Sequence, residues 1–331
     1  MDEQEINNPS SKKFWLIGLI VVTILVGIGA GYYFFIDNKD QEDSQEATAK
    51  VEDESKSEVS KAWKEGGVAI AGKYADAEVI ELDNGKYRMY YSIEPEVPGN
   101  KLEMFSALSS DGISWTNEVG VRKTFAVFPD IIELPDGRFR VYFQNERVIK
   151  SAISSDGLNF TDESGIRIDK PEQGYEIDAI GANSTYQMDD SSYLMVYSGT
   201  KENTRYDDEV PNNKIANLFY ATSLDGLTWQ KKGLAVSSDN TILKGWSDGA
   251  ELVNFDGELR LYFWSYMGVY YTVFKDGAFS DNIIFDFTNN TDSSRVYPQN
   301  PPGDPTLIKI QNKWYMYYGQ HEKGIYYATY E

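Results

Sequence analysis

Eight carboxylates recur at one kind of place in this sequence. Asp76 and Glu78, Asp130, Glu176 and Asp178, Asp248 and Glu251, and Asp304 each stand at or just before the start of an apolar strand. Carboxyl groups held in different surroundings acquire different pKa values, and a pair of which one is protonated and one ionised can act as general acid and base at neutral pH. A single strand-entry Asp or Glu more often bonds a nearby backbone amide. Only convergence of several such groups on one spot gives them a joint chemistry, so the architecture that places them comes next.

That architecture is repetitive. Segments 79–92, 131–144, 252–264 and 307–319, with a looser copy at 185–199, each read as an apolar strand, a tight turn rich in Asp, Asn or Gly, and a second alternating strand. A second unit follows at 105–121, 150–166 and 219–236, and in degenerate form at 269–279: a strand, an Asp-Gly turn, then an aromatic residue opening another strand. The two units together make a four-stranded antiparallel sheet, and five copies predict an all-β, five-bladed propeller. The fifth copy lacks its outer strand, and the stretch from Trp63 to Gly72 resembles that missing strand. The N-terminal edge is therefore expected to close the last blade, with Val68 to Ala71 paired against Ile325 to Thr329. Alternate loops of a propeller fall on opposite faces, and all eight acids belong to one face, around one axis.

From residue 63 onward the hairpins resemble blades of the five-bladed glycosidase superfamily that includes arabinanases, β-xylosidases, levansucrases and invertases. Gly303-Asp304-Pro305-Thr306-Leu307-Ile308 and Phe128-Pro129-Asp130-Ile131-Ile132 are similar to strand starts of glycoside hydrolase family 43. The Ser-x-Asp-Gly-x-x-Trp turns resemble a shortened sialidase Asp box, which makes Asp111, Asp156 and Asp225 turn-forming rather than catalytic. The resemblance implies Asp76 as the base, with Ala77 in place of the usual Pro. It implies Asp178 as the residue that tunes the acid, and puts Asp248 where the family has its acid Glu, with Glu251 three residues on. Asp130 completes the catalytic candidates, and a glycosidic bond is the target such carboxylates imply.

Substrate contacts are expected from Asp304 and from Trp246, Trp264 and Tyr266, read as exposed stacking platforms. The polar insertion 201–215 reads as a rim loop on the same face. The only histidine, His321, falls on that face too, where the resemblance leaves room for a hydrated cation such as calcium; no motif calls for a cofactor. Arg147, Arg205 and Arg295 also fall there and suit anionic sugars, which keeps a sialidase-like hydrolase open. So does a propeller that binds carbohydrate or another surface without cleaving it, because fold does not dictate activity.

Composition fits this reading: 24 Tyr, 16 Phe and 7 Trp favour strands, and a net charge of −21 repels nucleic acid. With no cysteine, neither a disulfide nor a thiolate metal site can form. Residues 14–36 are uncharged and mostly apolar, long enough at about 1.5 Å per residue to span a bilayer core of roughly 30 Å. Lys12 and Lys13 precede them and Asp37, Asp40, Glu42 and Asp43 follow, which predicts a cytoplasmic N-terminus (1–13), a transmembrane helix (14–36), an acidic stalk (37–62) and an extracytoplasmic propeller (63–331). The chain is thus expected at a cell membrane, with a glycan as its partner.

Overall fold

The computed structural model describes residues 62–93, 101–170, 174–175, 177–201, 216–243, 245–289, 301–320 and 323–331. The expected membrane-spanning segment and the stalk up to residue 61 lie outside the described residues, among which no helix is long and apolar enough to cross a membrane. Among the described residues every regular element is a strand.

Strand β1 (Trp63–Ala71) is followed by blade 1, made of β2 (Tyr74–Glu81), β3 (Tyr87–Ile93), β4 (Met104–Ser109) and β5 (Thr116–Asn117). Blade 2 is β6 (Val127–Glu133), β7 (Phe139–Asn145), β8 (Val148–Ser154) and β9 (Thr161–Asp162). Blade 3 is β10 (Ala179–Gln187), β11 (Tyr193–Thr200), β12 (Ala216–Ser223) and β13 (Gln230–Val236). Blade 4 contains β14 (Asp248–Phe255), β15 (Glu258–Ser265), β16 (Gly268–Lys275) and β17 (Ala278–Phe279), with β18 (Ile284–Phe287) as an added strand on β16. Blade 5 is β19 (Gly303–Ile310), β20 (Lys313–Gln320) and β21 (Gly324–Tyr330), completed by β1. The five-bladed propeller expected from the repeats is therefore the fold. Its closure is as expected too: Val68 pairs with Tyr326, Ile70 with Ile325 and Ala71 with Gly324.

The blades are held to one another by the Asp-Gly turns. In each, the Asp carboxylate accepts two backbone amides, as Asp225 Oδ1 does from Leu227 and Thr228 at 2.8 and 2.7 Å. Those bonds hold the Asp225 carboxyl down at about 2 and lower Asp111 and Asp156 as well. The turn then docks on a tyrosine of the preceding blade. Tyr317 donates to the Gly112 carbonyl at 2.7 Å, Tyr90 to Gly157 at 2.8 Å and Tyr142 to Gly226 at 2.8 Å. Glycine is forced here: a Cβ on Gly226 would lie 2.7 Å from the Tyr142 hydroxyl, and its φ is +69°. Blade 3 carries Val196 at the matching position, opposite Ser184, and blade 4 is the one whose turn is degenerate. Tyr142→Phe leaves the buried Gly226 carbonyl without its donor and should cost about 1–3 kcal/mol, read by denaturant unfolding. An unchanged midpoint would mean that the turn does not staple the blades.

Candidate functional site

All five inner strands carry the same irregularity. Between Ala75 and Glu78, Val127 and Asp130, Gly181 and Ser184, Asp248 and Glu251, and Gly303 and Thr306, the inner strand advances by one residue more than its partner. The extra residue sits in the left-handed region each time: Asp76 (φ 55°), Phe128 (52°), Ala182 (44°), Gly249 (64°) and Asp304 (45°). A non-glycine residue there costs roughly 1 kcal/mol or more, a strain that persists only where the surroundings dictate it. The bulge ends the regular ladder and turns the next residues toward the axis.

Two tiers of side chains result. The strained tier supplies the carboxylates of Asp76 and Asp304, and Trp264 Nε1 donates to Asp304 Oδ1 at 3.2 Å. Two residues on, the inner tier consists of Glu78, Asp130, Ser184, Glu251 and Thr306, one from each blade. Thr306 Oγ1 lies 3.1 Å from Glu78 Oε2 and 3.3 Å from Glu251 Oε1, so its hydroxyl joins the two carboxyl groups. Glu251 also accepts the Leu307 amide at 3.1 Å and the Ser184 hydroxyl at 3.2 Å, and Asn183 Nδ2 donates to Asp130 Oδ2 at 2.8 Å.

Burial dominates the titration of this inner tier. It pushes Glu251 up to about 8, opposed by the Leu307 amide and reinforced by the charge of Asp130. Asp130 rises to about 7, for the same reason, against hydrogen bonds from Thr185 and Asn183. Glu78 is raised well above the ordinary carboxylate range by burial and by the charges of Glu251 and Asp130, and burial raises Asp248 too. Carboxyls that keep their protons toward neutral pH therefore meet at one axis.

Asp76, Glu78, Asn183, Glu251 and Asp304 line a cavity on that axis together with Ala77, Phe128, Pro129, Ala182, Gly249, Ala250 and Pro305. Its volume is about 30 Å³, room for a small polar group or a water or two, so a larger ligand reaches it only from the mouth. Among the described residues, no group of three or more His, Cys, Asp or Glu could hold a metal ion.

Of the residues singled out from sequence, Asp76, Glu78, Glu251 and Asp304 meet in this cavity, and Asp130 bonds to Asn183 in its wall. Asp248 is not part of the lining; it pairs with Trp264 across the sheet, and its Oδ1 accepts the Gly249 amide at 2.9 Å. Asp178 precedes β10, four residues ahead of Ala182, and Ala182 rather than Asp178 is the counterpart of Asp76. Arg147 is exposed in the β7–β8 turn, and its carbonyl accepts the Ile180 amide of blade 3 at 3.1 Å. Glu176, Arg205, Arg295, His321 and nearly all of the insertion 201–215 lie outside the described residues.

One expectation is corrected. Trp246, Trp264 and Tyr266 are not exposed platforms: they retain 5, 9 and 2 % of their surface and pack together with Ala216. Wide apolar rings at the blade 3–blade 4 junction are buried against each other, and Trp264 serves the cavity by holding Asp304. Asn183, Ser184 and Thr306 were not among the sequence candidates for a site, and Glu78 was grouped with the converging acids without a role of its own.

No family model matches the chain, and no curated protein matches it in sequence. Solved structures do match it in shape. A thermostable family-43 glycoside hydrolase superposes with a TM-score of 0.57 at 12 % identity, covering 80 % of this chain and 90 % of that one. A family-43 β-xylosidase/α-arabinofuranosidase from a compost microbial metagenome, solved with xylotriose in a calcium-free form, gives 0.54 at 15 % identity over 80 % and 93 %. A structure from a study of GH130 glycoside hydrolases that target β-1,2 mannosidic linkages in Candida mannan gives 0.56 at 16 % over 78 % and 84 %. A repeat of five strained bulges that turns carboxylates inward is thus carried on the fold of the five-bladed propeller glycoside hydrolases.

Proposed function

We propose that this chain is a membrane-anchored, extracytoplasmic glycan-active propeller that hydrolyses a glycosidic bond at the mouth of the axial cavity. One observation carries the reading: Asp76, Glu78, Glu251 and Asp304, from three blades, line a single cavity, and Glu251 holds its proton to about pH 8. A hydrolase needs one carboxyl that gives a proton to the departing oxygen and another that takes one from water. Glu251, or Asp248 just outside the lining, fills the first role, and Asp76 fills the second. Thr306 joins Glu78 to Glu251, so a further carboxyl stands beside the proposed acid. Attachment through residues 14–36, with the propeller outside the cell membrane, follows from the charges that flank that segment.

Glycan binding without cleavage is the second reading, favoured by how fully the Glu251 carboxyl is engaged by Ser184, Thr306 and Leu307. The test is hydrolysis by the purified full-length protein of a panel of nitrophenyl glycosides and of plant and bacterial polysaccharides, beside Asp76→Asn, Asp248→Asn and Glu251→Gln. One substrate should be turned over, with a loss of 10²-fold or more for Asp76→Asn and for at least one of the acid variants. Binding retained by all four proteins with no turnover would establish the second reading, and selective cleavage of sialosides the anionic-sugar variant.

A further inference from the structure

The polar side chains of the axial cavity are carboxyls and one amide, with no cation among them. Its lining contributes the carboxyls of Asp76 and Glu78 from β2, Glu251 from β14 and Asp304 from β19, and no Lys, Arg or His. The donors nearby are neutral and already used: Thr306 and Ser184 serve Glu78 and Glu251, and the Asn183 amide nitrogen serves Asp130 of β6. The remaining end of Asn183 is the telling one. This side chain is 5 % exposed, and its Oδ1 accepts no hydrogen bond. A buried carbonyl oxygen without a donor forfeits roughly 1–3 kcal/mol, which a ligand that donates to it would return.

A donor-rich cation satisfies both features. An ammonium group offers three N–H donors and no acceptor, and it needs acceptors at hydrogen-bond distance rather than the closer shell of oxygens a metal ion demands. No trio of carboxyl or imidazole groups among the described residues provides that metal shell. We infer that the mouth of the cavity takes an unacetylated amino sugar, whose ammonium group alone enters it and is seated between Asn183 Oδ1 and the carboxyl groups of Asp76, Glu78 and Glu251. The assignment rests on the glycan reading above, since the fold is that of glycoside hydrolases while the ammonium preference comes from the lining alone. An N-acetyl group would place a bulky acyl and a second acceptor among acceptors, so selectivity against it is built in.

Proton linkage gives the inference a second signature. The groups facing the seat are Asp76 and Glu78, Glu251 and Asp304, with Asp130 behind Asn183. Two of them, Glu251 and Asp130, hold protons to about 8 and 7. An arriving ammonium favours their ionised forms, so binding near pH 6, where the sugar amine is charged and these carboxyls are not, releases protons, and affinity rises from pH 5 to 6.

Isothermal titration of the full-length protein, run in two buffers of different ionisation heat, compares a β-1,4-linked glucosamine tetramer, its fully N-acetylated counterpart and spermidine. The expected result is at least tenfold tighter binding of the free-amine sugar than of the acetylated one, proton release with the former only, and at most weak binding of spermidine. Asn183→Ala should remove at least fivefold of the preference; if that variant does not fold, the proton release of the native protein decides the matter alone. Equal binding of the two sugars, or spermidine binding as tightly as the tetramer, overturns the inference. So does hydrolysis of some other glycoside from the panel with no affinity for the free-amine tetramer, an outcome that leaves the glycan reading standing. Failure to bind or cleave any glycan removes both.

Discussion

A chain that begins at Tyr74, lacking β1, should lose its cooperative melting transition and elute from size exclusion as an associated species. Deleting this strand removes the seven-position ladder with β21, uncovers Ile325 by taking away Ile70, and releases Trp63 from Asp286, whose carboxylate accepts its indole N–H at 2.5 Å. At about 1 kcal/mol net per buried hydrogen bond, plus about 1.5–3 kcal/mol for each large side chain uncovered, the loss is on the order of 5 kcal/mol or more. That is comparable to the whole stability of a typical domain. It also leaves β21 as a bare edge that recruits other chains. A gentler version is Gly66→Ala, whose new Cβ would stand 2.0 Å from Tyr327 Cε2 and force that ring aside. A monomeric truncated protein that melts with the parent would disprove the role assigned to closure.

Stability should also fall as pH rises from about 4.5 to 8. Glu251 and Asp130 are protonated in the folded chain up to about 8 and 7, whereas in the unfolded chain they ionise near 4. The stabilising contribution of their bound protons is complete below the unfolded value and is lost as pH climbs through the folded ones. With about 1.4 kcal/mol for each pKa unit, the two groups together remove several kcal/mol across this window. Glu251→Gln keeps an acceptor for the Leu307 amide and carries no ionisable proton, so its stability should depend less on pH and exceed that of the parent at pH 8. Denaturant midpoints at pH 5, 6, 7 and 8 test this; a flat profile for the parent, or a variant weaker than the parent at pH 8, would refute it. The Asp-Gly turns act in the opposite direction and elsewhere. Asp225, held at about 2, contributes stability that is lost only as pH drops from about 4 toward 2, below the window of the inner tier.

Much of this was written in the repeats. Hairpin period, turn residues and the missing outer strand of the last copy were enough to number the blades and to pair Val68 with β21, because a strand with one buried face has a fixed register. The site was legible only in part. The residues immediately before the five aligned segments are Glu78, Asp130, Ser184, Glu251 and Thr306, and three positions before each stand Asp76, Phe128, Ala182, Gly249 and Asp304. Reading those columns would have separated the two tiers, whereas searching for acids alone passed over Ser184 and Thr306, which are the hydrogen-bond partners that tie the acids together. It also set Asp178 beside Asp76, since the extra residue of a bulge leaves no mark in hydrophobic periodicity. Nor does aromatic content distinguish a platform from a packing residue. Trp246 and Trp264 each needed a neighbour, and the neighbour turned out to be the other, at 5.5 Å between ring centroids.

The pairing of β1 with β21 extends one step past both strands. The Ala62 amide donates to the Glu331 carbonyl at 2.8 Å, and the Glu331 amide donates back to Ala62 at 3.1 Å, so the two ends of the propeller are hydrogen-bonded neighbours. Topologically the propeller is a circle whose covalent break has been placed inside one blade rather than between two. A short peptide joining Glu331 to Ala62 would make the circle real, and a new break could then be cut in any surface turn away from the axis, giving a circular permutant with the same sheets in the same order. Blade number is then a matter of where one starts counting, and what tells the blades apart is the side chain each one sends to the axis.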